Sequence, residues 1–286
     1  MRGNTTSVVR AGLSRGWIEY RQSFTSGQDL FAYFGISAIF VTIAYFQQDA
    51  DLPEASQVSN GALMVVGTLG FLLTIAGLMS VAQVLATERE DGTLLRAKSV
   101  PNGMLGYLVG KCVHILLITV TNLAIVLVAA LVLIDGVRMP GAAGWATAAW
   151  VLVLGLLATA PLGAICGSLV SNPRTAPSLL MVPIMGVTMA SGVFFPITFL
   201  PEWAQTLGQV FPVYWLALGF RSVFLPEAMV AAEIGESWRH LETAGVLGAW
   251  ALVGLVVAPF VLRSMARRES GSRVEAARQR AMQRAV

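Results

Sequence analysis

The chain of 286 residues is 56% hydrophobic and only 12% charged, with 19 Lys and Arg against 16 Asp and Glu, and its mean hydropathy is +0.70. A soluble domain carries about twice that charged fraction, so composition excludes ordinary globular domains and identifies an integral membrane protein. Cys112 and Cys166 lie in apolar runs, which excludes a disulfide framework, and the distant His114 and His240 lack the spacing of metal ligands.

Residues 1–29 mix Trp17, Ile18, Tyr20 and Phe24 with Arg10, Arg15, Glu19 and Arg21, the make-up of a cytoplasmic amphipathic helix in the inner headgroup layer. Apolar stretches long enough to cross about 30 Å of hydrocarbon follow at 30–46, 61–86, 112–134, 145–170, 177–200 and 244–262. Six spans are expected, forming one membrane domain over 30–262, with 263–286 as a basic cytoplasmic tail. The polar residues ahead of the first span, with no small-residue cleavage pattern after Phe46, argue against a cleaved leader. Sixteen of the nineteen basic residues precede span 1, follow span 6 or lie between spans 2 and 3 or 4 and 5, which puts both termini in the cytoplasm. Seventeen of the nineteen are Arg, which with the Ala, Gly and Val richness points to GC-rich bacterial coding and a bacterial plasma membrane.

The stretch 202–225 is rich in Trp, Phe and Leu but also holds Glu202, Gln205, Gln209, Pro212 and Arg221. A charge in mid-span costs about 2.5 to 3.5 kcal/mol. The helical spacing of its apolar residues therefore predicts an external re-entrant or interfacial element, broken near Pro212, in place of a seventh crossing. Pro161, Pro183, Pro196 and Pro259 predict kinks or breaks, and Gly106 with Gly110 and Gly163 with Gly167 permit close helix approach. Between their interfacial ends the spans carry no Asp, Glu, Lys or Arg, which weighs against an ion-coupled carrier or a channel with a charged ring. Their mild polar groups, mostly Thr and Ser, read chiefly as interhelical hydrogen-bond glue. Ser191 and His114 sit at different depths, which weighs against an intramembrane serine protease.

Between spans 2 and 3 lies the most charged internal stretch of the chain, 87–104. Asp91-Gly92 favours a turn, 94–98 is long enough for a short helix that Thr93 can cap, and Pro101-Asn102-Gly103 ends it. The run Glu88-Arg89-Glu90-Asp91-Gly92-Thr93-Leu94, with Pro101 and Gly110-Lys111, resembles the signature of the ABC-2 type permease family, the membrane subunits of ABC exporters, daunorubicin-exporter-like permeases among them. Many members carry a Glu after the Gly-Thr-Leu core, where this chain has Leu95.

The resemblance implies an all-α membrane fold of six transmembrane helices with a cytoplasmic coupling helix at 87–104. Glu88, Glu90, Gly92, Thr93, Leu94 and Pro101 would couple it to a separate ABC ATPase subunit, present in two copies and holding ATP and magnesium. Glu88 and Glu90 would meet basic groups or helix ends on that subunit. A second permease half is implied too, as a homodimer or heterodimer. Independently, Gly110-Lys111 is followed by Cys112 and preceded at the required Gly position by Leu105, so this chain has no phosphate-binding loop there. The expected activity is export of a lipophilic or amphiphilic compound such as an antibiotic, drug, lipid or glycolipid, with no cofactor on this chain and no nucleic-acid partner. Following the family, spans 2 and 5 would line the path, with Thr68, Phe71, Thr74, Met185 and Met189 as candidates. The alternatives are an ATP-independent secondary or passive transporter, and then a membrane enzyme or scaffold.

Overall fold

A computed structural model describes residues 5–48, 59–91, 102–170 and 175–268, and no strand occurs among the described residues. The longer helices are α1 (Thr5–Gln22), α2 (Gly27–Phe46), α3 (Asn60–Glu90), α4 (Gly103–Leu133), α5 (Ala142–Leu169), α6 (Ala176–Ala190), α7 (Glu202–Val210), α8 (Pro212–Phe224) and α9 (His240–Arg268). Five of these, α2, α3, α4, α5 and α9, are long and apolar enough to cross a membrane. Short polar caps start two of them: Ser26 accepts the Asp29 N–H at 3.3 Å and Ser59 accepts the Ala62 N–H at 3.0 Å.

Helices α3 and α4 run in opposite directions, as do α4 and α5. The end of the bundle carrying Glu88 and Lys111, which face each other from α3 and α4, is here the foot. The opposite end is the crown, where Ser59 Oγ donates to the Asp135 carbonyl at 3.0 Å and the Arg138 N–H donates to the Phe224 carbonyl at 2.8 Å. Nearly all of α3 from Asn60 to Thr74 is buried, so α3 is the central post around which α2, α4, α5 and α8 pack. Where α3 crosses α5 its backbone widens into a π-helical stretch, Ile75–Ser80. A Cβ on Gly77 would strike Thr159 Oγ1, and one on Gly163 would lie 2.5 Å from the Gly77 and Leu78 carbonyls. The Gly163 and Gly167 pair read from the sequence thus lets two backbones touch.

The stretch 177–200, expected as a fifth span, is built differently. Its helix stops at Ala190 after 15 residues, about 22 Å. Gly192 takes φ +58°, the left-handed conformation that ends a helix, and Pro196 follows in an extended turn. The chain then folds back with Val193 and Ile197 buried. The next stretch breaks at Pro212 as expected, into α7 and α8. All of α8 except Ser222 is buried, and a Cβ on Gly70 of α3 would lie 2.5 Å from the Ala217 nitrogen. Carbonyls freed at the break are bonded by indoles: Trp215 Nε1 donates to Gln209 O at 2.7 Å and Trp250 Nε1 to Val210 O at 2.8 Å.

Six of the mild polar groups differ from expectation. Thr68, Thr74, Thr119, Thr159, Thr188 and Ser191 each donate to the carbonyl four residues earlier in their own helix, at 2.6 to 2.9 Å. In apolar surroundings that carbonyl is always within reach, so the hydroxyl needs no second helix. True interhelical bonds cluster on α4, where Asn122 accepts from Ser37 Oγ at 2.7 Å and donates to the Tyr33 carbonyl at 3.0 Å.

Candidate functional site: an ionic junction at the foot

Helix α1 runs alongside the first half of α4. A Cβ on Gly12 would lie 2.6 Å from the Gly106 carbonyl, and one on Gly16 would lie 2.5 Å from that of Gly110. Two glycine pairs four residues apart therefore interlock, which brings polar residues of α1 against α4. Tyr20 Oη pairs with Thr121 Oγ1 at 2.8 Å on the same seam.

Directly after Gly110 stands Lys111. Its Nζ lies 2.9 Å from Glu19 Oε2 on α1 and 3.0 Å from Glu88 Oε1 in the last turns of α3. Arg15 Nε closes on the other Glu19 oxygen at 2.8 Å, while its guanidinium lies 5.5 Å from the Tyr107 ring centre. Two cations thus balance two carboxylates across three helices. Burial pushes the Glu19 carboxyl up, but hydrogen bonds from Lys111 and Arg15, with their charges, outweigh it and hold Glu19 below the ordinary value of 4.5. Next to Glu88, Arg89 Nη1 donates to the Ser168 and Val170 carbonyls at 3.1 and 3.2 Å, satisfying orphan groups at the end of α5. The foot of α3 is therefore tied to α1, α4 and α5.

Of the residues expected to couple to a partner, Glu88 is only 8% exposed and turns inward onto Lys111. One carboxylate oxygen, Oε1, is therefore bonded from within the chain by half-buried Lys111, while Oε2 has no hydrogen-bond partner among the described residues. Glu90 is half-buried in the last turn of α3 and Asp91 follows exposed. Gly92, Thr93, Leu94 and Pro101 lie outside the described residues, as does most of 87–104. Sequence reasoning used Lys111 only as a motif residue and a topology marker, and missed its bond to Glu19. The signal was present as Gly12 and Gly16, spaced to match Gly106 and Gly110, with Arg15 and Glu19 on consecutive turns.

The candidate lining residues lie in different surroundings, with Phe71 and Met185 sharing one apolar cluster. Thr68, Phe71 and Thr74 are buried within the core, and Phe71 stacks edgewise on Phe40 and Phe194 at 5.3 and 5.5 Å. Met185 packs partly buried against the same cluster. Met189 alone is open, 46% exposed on the outer face of α6 beside Val182 and Gly186.

A family model described as "ABC-2 family transporter protein" matches residues 21–260. Two similar proteins, each described as "Probable multidrug ABC transporter permease YbhR", come from Escherichia coli strain K12 and Escherichia coli O157:H7. Each is 26% identical over 186 residues, which are 65% of this chain and 50% of the relative. The chain thus spans about half the length of the curated relatives it matches.

Proposed function

The chain belongs to the ABC-2 transporter family, and from that premise we propose that it is the permease subunit of an ATP-driven exporter for lipophilic or amphiphilic compounds. The foot is the cytoplasmic face of a bacterial plasma membrane, in keeping with the basic residues concentrated there. The α7–α8 pair is then an external re-entrant element. A separate ABC ATPase, in two copies, holds ATP and magnesium and docks on 87–104, and a second permease half completes the transporter. Multidrug permease relatives support a cargo of drug-like or lipid-like chemistry.

The observation that carries this reading is the sharing of Lys111 between Glu88 and Glu19. The loop between α3 and α4 begins three residues after Glu88 and ends shortly before Lys111. A push on that loop acts on both residues at once, and the shared ammonium makes α1, α3 and α4 respond together. Glu88 then serves as an internal tie. Glu90, Gly92, Thr93, Leu94 and Pro101 are the proposed contact stretch.

The test is co-purification with the ABC ATPase encoded beside the gene, followed by reconstitution in proteoliposomes with a panel of lipophilic dyes. ATP-dependent dye movement is expected, and Gly92→Pro or Glu90→Ala should lower both export and permease-stimulated ATP hydrolysis. Dye movement by this chain alone, without nucleotide, would instead establish the ATP-independent transporter. Unchanged export in both variants would remove the loop from the mechanism.

A further inference from the structure

Arg221 of α8 is 0% exposed, among the largest fully buried side chains. Its Nη1 donates to Glu233 Oε1 at 2.8 Å, and its Nη2 donates to the Gly192 and Val193 carbonyls at 2.8 and 2.7 Å. One side chain thereby joins α8, the turn that ends α6 and the segment leading into α9. The central post is shaped around this contact. A Cβ on Gly67 of α3 would strike the Val193 carbonyl and come within 3.4 Å of Arg221 Nη2.

Stability alone does not explain a charge pair in this position, because apolar side chains of similar volume often hold a core at least as firmly. The two choices differ when the site opens. Separated ions regain hydration, whereas separated apolar groups lose by meeting water. Arg221 Nε and Glu233 Oε2 also lack a hydrogen-bond partner among the described residues, so both retain bonding capacity for water.

We propose that Arg221 is the positioning residue of the exit: with Glu233 it latches the α7–α8 hairpin to the end of α6, and the latch releases into water when the crown opens for cargo. This rests on the exporter reading above. A latch made of charges holds the closed crown and still lets it open, while an apolar pair would hold it shut.

The test uses the full chain with its ATPase, with Cys112 and Cys166 replaced by Ala and a reporter at Val193→Cys, a buried site beside the latch. A water-soluble maleimide should label the reporter during ATP turnover. With Arg221→Met and Glu233→Leu together, melting should stay at or above that of the native pair, while labelling and export fall about tenfold. Arg221→Lys keeps the charge but loses the fork onto two carbonyls, so its labelling should rise several-fold. That second variant decides the matter if the double one fails to assemble. Native-pair export accompanied by equal labelling in the variants overturns the latch alone. Absence of ATP-dependent export by the native pair overturns the exporter reading and the latch with it.

Discussion

Replacing Lys111 by Met keeps the apolar stem and removes the one cation shared by α1 and α3. In the native junction the ammonium lies 2.9 Å from Glu19 and 3.0 Å from Glu88, and side-chain exposures are 19% for Lys111, 21% for Glu19 and 10% for Glu88. Glu19 keeps Arg15 at 2.8 Å, so its share of the loss is about 0.5 to 1 kcal/mol. Glu88 has no other ion pair among the described residues. Its carboxylate would be left nine-tenths buried and uncompensated, which costs roughly 2 to 4 kcal/mol. The expected total is about 2.5 to 5 kcal/mol. Adding Glu88→Gln to Lys111→Met removes the orphan charge and should restore about 2 kcal/mol of it. The assay is thermal melting of the purified permease in detergent, with both single variants and the double variant side by side, and ATPase stimulation measured on the same samples. Equal melting of Lys111→Met and wild type would refute the reasoning. So would a double variant whose loss is the plain sum of the single losses, since the two sites would then not be coupled.

Glycine at position 16 is required by its approach to the Gly110 carbonyl; Gly16→Val should cost about 1 to 3 kcal/mol and expose α1 to protease, whereas Gly27→Val, which meets nothing within 4 Å, should not. The Glu19 carboxyl is held below 4.5 in the fold, so its contribution to stability is complete above the unfolded value and is lost as pH falls through the lower folded one. Melting of the wild type should therefore drop in acid below about pH 4 more steeply than that of Glu19→Gln. Gly192→Ala forces a side chain into φ +58° and should destabilise by about 1 to 2 kcal/mol, read as a lower melting temperature. Phe71→Ala should cost about 3 to 5 kcal/mol as a core truncation, while Met189→Trp should leave melting unchanged and alter only which dyes are exported; the reverse pattern would return Phe71 to the cargo path.

The helical membrane bundle was legible because long apolar runs bounded by charge have few other solutions. The stretch 177–200 misled because hydropathy does not register a left-handed turn at Gly192, and Val193 and Ile197 are as apolar folding back as they would be spanning. Gly106 and Gly110 were readable as a contact stripe, but their partners Gly12 and Gly16 lie in a segment whose composition reads as a surface helix. Glu88 and Arg221 show the deeper limit. A charge in a loop or at a helix end carries no mark of whether it faces water or a counter-ion on another helix. Lys111 is 23 positions from Glu88, and the carbonyls that hold Arg221 belong to residues 28 and 29 positions away. The buried hydroxyls of Thr68, Thr74, Thr119, Thr159 and Thr188 misled for the opposite reason, since each found its acceptor one turn back in the same helix.

The two polar ties stand at opposite ends of α3, and that placement constrains how the proposed exporter works. At the foot, α3 is held by Lys111 and by Arg89; toward the crown it is shaped around Arg221 at Gly67 and around α8 at Gly70. Between them the helix is continuous apart from the π-helical stretch Ile75–Ser80. Movement of the foot must either be absorbed in that stretch or be carried to the crown. Gly77 and Gly163 meet there with backbone against backbone, so little side-chain adjustment is available to absorb it. A displacement applied at the loop after Glu88 would therefore reach the Arg221 contact as motion of one post, and loosening the crossing by enlarging neither end but only Gly163 should separate ATP hydrolysis from opening of the crown.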